Sequence, residues 1–176
     1  EEACMNEPHR VDPWRFAGSF IARTLGAGIP DAPSVADVPF TPVSKPLSES
    51  RVALLSTAGL SRKGEPPFDM ELERKNPLRG DPSFRRIPAD ARTGDVEANH
   101  LHIDTGYIDR DLNVALPLER LHELAQTGEI GSVAPTHYSI MGFQGNDTTQ
   151  LVEESAPAIA EGMKSEEVDL ALLAPV

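Results

Sequence analysis

Cysteine is almost missing from this chain. Cys4 is the only one in 176 residues, so neither an internal disulfide framework nor a cysteine-based zinc site is available. It lies in a polar opening stretch, EEACMNEPHR, where a solvent-exposed thiol is the plain reading. Positive charge is also short: 16 basic against 28 acidic residues leave a net charge of −12. That balance argues against a surface built for nucleic acid or an anionic membrane. No apolar run approaches the roughly 18 residues of a membrane span. No signal-peptide pattern of basic, apolar and small-residue zones stands at Glu1, which favours the cytoplasm. The GxGxxG and Walker patterns are both absent, so nucleotide binding has no support. There is no internal repeat and no low-complexity tract.

Proline and glycine, by contrast, are plentiful. Sixteen and thirteen of them predict long ordered loops between regular elements. The length suits one domain, or one domain with an extension. Residues 12–27 (DPWRFAGSFIARTLGA) read as a helix, with Asp12 as N-cap, Pro13 at N1, and Trp14, Ala17, Ile21 and Leu25 at helical spacing. Five prolines between 29 and 50 then forbid a helix and predict an extended lead-in. Residues 1–50 are thus set apart from an α/β region over 51–176.

Within that region Arg51–Ser56 (RVALLS) is a short continuous apolar run, as a buried parallel strand requires. Residues 57–88 show no periodicity and read as one long loop. A second strand is expected over Ala98–Ile103 and a third over Ile130–Ala134. Pro117–Thr127 reads as a helix, with Leu118, Leu121 and Leu124 on one face and Gly128 just past its end. A second amphipathic helix spans Asp147–Lys164, with Pro157 expected to bend it. Val168–Val176 (VDLALLAPV) reads as a buried strand at which the chain stops. Alternating strands and helices predict an α/β fold: a partial doubly wound, mainly parallel sheet with flanking helices, truncated at its C-terminal strand. With no Met before Glu1, the expectation is a piece of a longer protein.

Ligands of such sheets bind outside the carboxyl ends of the strands. That rule gathers Thr57, Ala58 and Gly59 after the first strand, His102 and Asp104 at the end of the second, and His137 and Tyr138 after the third. His100, His102 and Asp104 spell H-x-H-x-D, with Asp109 and Asp111 close behind. Imidazoles and carboxylates at this spacing suit zinc, manganese or iron, or metal-free acid–base work. They equally suit a hydrogen-bonded strand end with Asp104 capping a turn. His137 suits acid–base catalysis or carboxylate anchoring. The Arg85–Arg86 pair suits a bidentate carboxylate clamp or a surface ion pair. His122 and His9 are expected in solvent.

Taken in order, SKPLSESRVALLSTAGL, PPFD, GDPSFRRIP, DRDLNVALPLERLHELAQTGEIGSVAPTHYSIMG and the closing LLAPV resemble the selenoprotein B subunit family. Its members are the glycine, sarcosine and betaine reductases, with the related D-proline reductase subunit. The resemblance runs from about residue 40 to the end. It implies that the last strand leads into a redox motif, selenocysteine or cysteine followed two residues later by cysteine. It further implies reductive cleavage of a C–N bond in a small amino acid or amine, with no cofactor in this chain. A pyruvoyl group on a partner subunit and a selenoprotein or thioredoxin-type redox partner complete the implied system. A selenolate or low-pKa thiolate is a strong nucleophile at neutral pH, which suits that chemistry. The motif is not among residues 1–176, so truncation at an in-frame UGA is expected, and with it a chain that does not turn over. Edge geometry and the resemblance together cast His102 and Asp104 as orienting or protonating substrate and His137 as binding it or relaying a proton. Thr57, Gly59, Arg85 and Tyr138 are the substrate-binding candidates, and no metal ligand is assigned. Two other classes remain open: a metal-dependent hydrolase using His102, Asp104 and His137, and a non-catalytic binding or assembly subunit.

Overall fold

The computed structural model describes Phe20 and residues 41–76, 79–101, 103–145 and 147–176. Apart from Phe20, the helix expected over 12–27 lies outside the described residues, as do most of the proline-rich lead-in, Cys4, His9 and His102. The chain divides into two compact units, Glu1–Pro42 and Val43–Val176, and the sheet lies wholly in the second.

The strand β1 (Arg51–Ser56) is the centre of that sheet, buried at Val52, Ala53, Leu54 and Ser56. Burial without alternation is what a parallel strand covered on both faces needs. Along one edge it pairs in parallel with β7 (Leu170–Ala174), from Val52↔Leu170 to Ser56↔Ala174. Along the other edge lie two parallel strands in tandem. The first is β5 (Ser132–Val133), opposite Arg51 and Val52. The second is β6 (Thr136–Ile140), whose Tyr138 and Ser139 face Leu55 and Ser56. An antiparallel strand, β3 (Phe84–Pro88), runs beside β6 from Phe84↔Ile140 to Pro88↔Thr136. The short strands β2 (Leu60–Arg62) and β4 (Val96–Ala98) form a separate antiparallel ribbon.

Several expectations change here. The long unstructured loop over 57–88 is instead β2, a short helix α1 (Met70–Lys75) and β3. Asp69 starts that helix by accepting from the Leu72 N–H at 2.9 Å. The second strand is β4, which ends at Ala98 and belongs to the ribbon rather than to the parallel sheet. The third strand stops at Val133, and the stretch expected to be a loop resumes pairing as β6.

The interruption between β5 and β6 has a physical cause. The Ala134 N–H still donates to the Val52 carbonyl at 2.9 Å, but Pro135 has no N–H to continue the ladder. Opposite the break, the buried Leu54 N–H donates to His137 Nδ1 at 2.9 Å. The imidazole therefore takes over as acceptor and must be neutral, with its proton on Nε2. Burial, assisted by the charge of nearby His122, pushes the His137 pKa down to about 4.

The helix α2 (Gly106–Arg110) precedes α3 (Leu118–Gln126), which buries Leu118 and Leu121. These join Val52, Leu54, Ile87 and Leu116 in the main core cluster. Gly128 ends α3 with φ of 77°, a left-handed conformation that glycine adopts without steric penalty. On the opposite face, α4 (Ala156–Ser165) buries Ile159 and brings Gly162 against the Tyr138 hydroxyl. Pro157, expected to bend a long helix, instead stands in the first turn of α4, where a missing N–H is tolerated, and one π-type turn, Leu151–Ser155, precedes it. At the amino edge, Asp169 accepts from the Arg51 N–H at 2.9 Å and pairs with Lys45 at 2.8 Å. The Lys45 bond, followed by the Arg51 N–H, holds its carboxyl below the ordinary aspartate range. The Arg51 guanidinium also donates to the Glu166 carbonyl, and Glu166 accepts from the Thr136 hydroxyl at 2.6 Å.

The expected C-terminal strand is present, but it is not buried. Leu172 and Leu173 of β7 are 51% and 64% exposed.

Because the folded state depresses the His137 pKa from 6.5 to about 4, its neutral form contributes stability above pH 6.5 that is lost as pH falls towards about 4. The loss should reach on the order of 3 kcal/mol. Urea melts between pH 7 and 4 should show that slope. His137→Leu should flatten it and, by stranding the Leu54 N–H, cost about 1–3 kcal/mol at pH 7. A variant whose stability parallels the parent over this window contradicts the assignment.

Candidate functional site at the carboxyl edge

From β1 the chain winds out to β5 and β6 on one side, then crosses through α4 to β7 on the other. The order of parallel strands is therefore β6–β1–β7, and their connections diverge where β1 meets β7. That is a topological switch point, the place where open α/β sheets take ligands.

Thr57 stands there. Its N–H donates to the Ala174 carbonyl at 3.2 Å, extending the β1–β7 ladder by one bond. Its Oγ1 accepts from the Val176 N–H at 2.8 Å and lies 3.4 Å from the Val176 carbonyl oxygen, to which it donates. One hydroxyl thus holds both polar backbone groups of the residue leaving β7. Gly142, just past β6, completes the corner. A Cβ there would lie 3.1 Å from the Thr57 carbonyl oxygen and 3.4 Å from both Thr57 Oγ1 and the Val176 carbonyl oxygen. Gly142 was not singled out from the sequence. Its signal is a glycine directly after an apolar strand end, in SIMGFQG.

The other residues chosen from the sequence are spread more widely. Gly59 is buried, with φ of 62°, and donates to the Ile140 carbonyl at 3.0 Å. A Cβ there would sit 2.5 Å from the Asn99 carbonyl oxygen, so this glycine gives room to the protein's own backbone. Asn99 in turn donates through its main chain to the Gly59 carbonyl at 2.8 Å and through Nδ2 to Ser61 Oγ at 2.7 Å. The main-chain bond continues the β2–β4 register by one pair, Gly59 opposite Asn99, beyond the last strand residue Ala98.

Asp104 is exposed and accepts from the Gly106 N–H at 3.0 Å, opening α2. Asp111 accepts from the Asn113 main chain at 2.9 Å and side chain at 2.8 Å. Those bonds hold its pKa down. His102 lies outside the described residues. Among the described residues, no three His, Cys, Asp or Glu side chains are grouped to hold a metal ion.

His137 and Tyr138 are not on a loop after a strand, as expected, but inside β6 and fully buried. Their side chains point to opposite faces of the sheet. His137 spends Nδ1 on Leu54, and its Nε2 has no hydrogen-bond partner among the described residues. The Tyr138 ring meets Phe84 at 6.0 Å. Arg85 is held by its own neighbourhood: it donates to the Pro66 and Pro67 carbonyls at 2.8 and 2.7 Å and stacks 4.3 Å over the Phe68 ring. Asp81 sits 3.8 Å from it. Burial acts to raise the Asp81 pKa, but bonds from Ser83 and the Asp69 N–H outweigh it and lower the value. Arg86 lies 5.2 Å over Phe84. His122, expected in solvent, is half-buried, with Nε2 2.8 Å from the Ala89 carbonyl oxygen. The structure therefore brings Thr57, Gly142 and Val176 together and gives Gly59, Arg85, His137 and Tyr138 clear packing roles.

A model of the glycine/sarcosine/betaine reductase selenoprotein B family matches residues 29–175. The D-proline reductase subunit gamma of Acetoanaerobium sticklandii is 37% identical over 134 residues, covering 76% of this chain and 52% of that protein. The glycine reductase complex component B subunit gamma of Symbiobacterium thermophilum is 28% identical over 143 residues, 80% of this chain and 32% of that protein. Its counterpart from Carboxydothermus hydrogenoformans is likewise 28% identical, over 80% of this chain and 31% of that protein. The chain thus spans between about a third and a half of these relatives' lengths. No solved structure matches it.

Thr57→Val should release the Val176 N–H and lower stability by about 1 kcal/mol, while Thr57→Ser retains the bond. Amide exchange at Val176 should quicken in the valine variant only; equal exchange in both would show that the hydroxyl does not hold the strand end. Gly59→Ala, with a left-handed φ and Asn99 in the way, should cost about 2 kcal/mol or more in urea melts.

Proposed function

This chain belongs to the glycine/sarcosine/betaine reductase selenoprotein B family, and from that premise we propose that it builds the scaffold of a reductive C–N cleavage site at the β1–β7 corner. The observation that carries the reading is the grip of the Thr57 hydroxyl on the backbone of Val176, at 2.8 Å from its N–H. It holds the carboxyl end of β7 at the switch point, with the carboxyl ends of β1 and β6 beside it. A selenol or thiol placed there by a following redox motif would meet its substrate at the edge where such sheets bind ligands.

In this proposal the substrate is glycine, sarcosine, betaine or a related amino acid such as D-proline. The C–N bond breaks and the substrate takes up two electrons and two protons; a dithiol supplies them and ends as a disulfide or its selenium equivalent. The Thr57 hydroxyl spends its proton and one lone pair on Val176 and keeps a second lone pair, which could accept from the ammonium group of a small zwitterion. For a primary or secondary amine, a pyruvoyl group on a partner subunit would supply electrophilic activation, and a thioredoxin-type partner would return the oxidised pair to the dithiol. A reducing compartment such as the cytoplasm suits this cycle. Among the described residues, no helix is long and apolar enough to cross a membrane.

The test is an assay of a full-length subunit bearing this sequence, assembled with its partner subunits and given dithiothreitol. Release of ammonia from glycine, of methylamine from sarcosine, of trimethylamine from betaine, or of a ring-opened amino acid from D-proline is expected. The release should stop when the selenocysteine or cysteine of the following motif is replaced by serine. An assembled complex that cleaves none of the four overturns the reading.

A further inference from the structure

The strand β7 is apolar throughout (LALLA) and pairs with β1 through all five of its residues. That pairing uses one edge. Among the described residues no strand pairs with the other. Leu170 packs partly against the core, but further along the strand both faces are open: Leu172 is 51% exposed and Leu173 64%. Being adjacent in a strand, they point to opposite sides of the sheet. The neighbouring β1, with the same kind of sequence and the same direction, is buried.

Parallel strands of α/β sheets are covered on both faces by crossover helices, and a bare apolar edge is a liability for association. The winding also points outward. The chain has moved from β1 to β6 and then across to β7, so the next strand of a doubly wound sheet adds beyond β7. The family subunits have length to supply it, because this chain spans 52% of one relative and 32% of another.

We propose that the outer edge and both faces of β7 are an interface for a parallel strand and flanking helices supplied by the part of the family subunit that this chain does not span. A second copy of the chain fits less well. Two β7 strands meeting about a twofold axis would pair edge to edge in antiparallel fashion, leaving Leu172 and Leu173 of both copies without a helix above or below. The proposal rests on family membership and on the sheet, and not on the reduction chemistry.

The test is co-expression of this chain with the portion of the Acetoanaerobium sticklandii subunit outside the matched segment. The two polypeptides should co-purify in equal amounts, and amide exchange at residues 170–174 should slow by about tenfold or more relative to the chain alone. Leu172→Glu and Leu173→Glu alter exposed positions, so far-UV circular dichroism of the chain should not change. Each should cut recovery of the complex by about tenfold. Val114→Glu, at a position 57% exposed outside β7, should not. Failure to co-purify with unchanged exchange overturns the proposal, as do glutamate variants that bind like the parent. Concentration-dependent protection of 170–174 in the chain alone would assign the edge to a second copy and overturn it equally.

Discussion

The hydrogen bond from the Leu54 N–H to His137 Nδ1 holds the centre of the sheet together where a proline would otherwise part it. β1 must be paired on both edges because it is buried on both faces, and an unpaired N–H at Leu54 has no water to turn to. Pro135 breaks the ladder on the β5–β6 side, and an imidazole two residues later repairs it. With that repair, Leu55 and Ser56 regain their register against Tyr138 and Ser139. β3 then aligns along β6, and the Ser139 hydroxyl accepts from the Leu60 N–H at 2.8 Å, guiding the chain into β2. A side chain is standing in for backbone, and it does so only while uncharged.

The same argument explains which features were legible in the sequence. β1 was plain, since VALL is a run that only a doubly covered strand can use. α3 was plain from Leu118 and Leu121 at helical spacing and from Gly128. β6 was not, because Thr-His-Tyr-Ser reads as polar loop chemistry until its two faces are separated. On one face His137 and Ser139 satisfy backbone N–H groups, and on the other Tyr138 fills the space under α4. Sequence gives the residue type of a histidine but not whether its ring nitrogen serves a substrate or a neighbouring amide. β7 was misjudged in the opposite sense. Its composition announces a buried strand, but burial depends on what lies over it.

At the candidate site the general rule for strand ends served better than the individual residue types. It placed Thr57 correctly at the carboxyl edge because that placement depends only on β1, the most secure strand. His102 and Asp104 were placed through a strand that ends at Ala98, so Asp104 proves to be a helix-opening residue. Gly142 escaped notice because its contribution is the space it leaves beside Thr57 and Val176, which becomes visible only once three strand ends meet.

The contacts that join β1 to β7 also impose an order of assembly. Arg51 and Asp169 are bonded across 118 positions of sequence. Contacts of such separation are slow to form, because the whole intervening chain must be ordered or looped out first. During synthesis, β1 emerges early and waits with one flank open until β7 is made. An apolar central strand left half-paired in that interval is a target for aggregation or chaperone capture. The amino-edge polar cluster of Lys45, Arg51, Glu166 and Asp169 closes only when β7 arrives, because its bonds join the start of β1 to the residues that lead into β7.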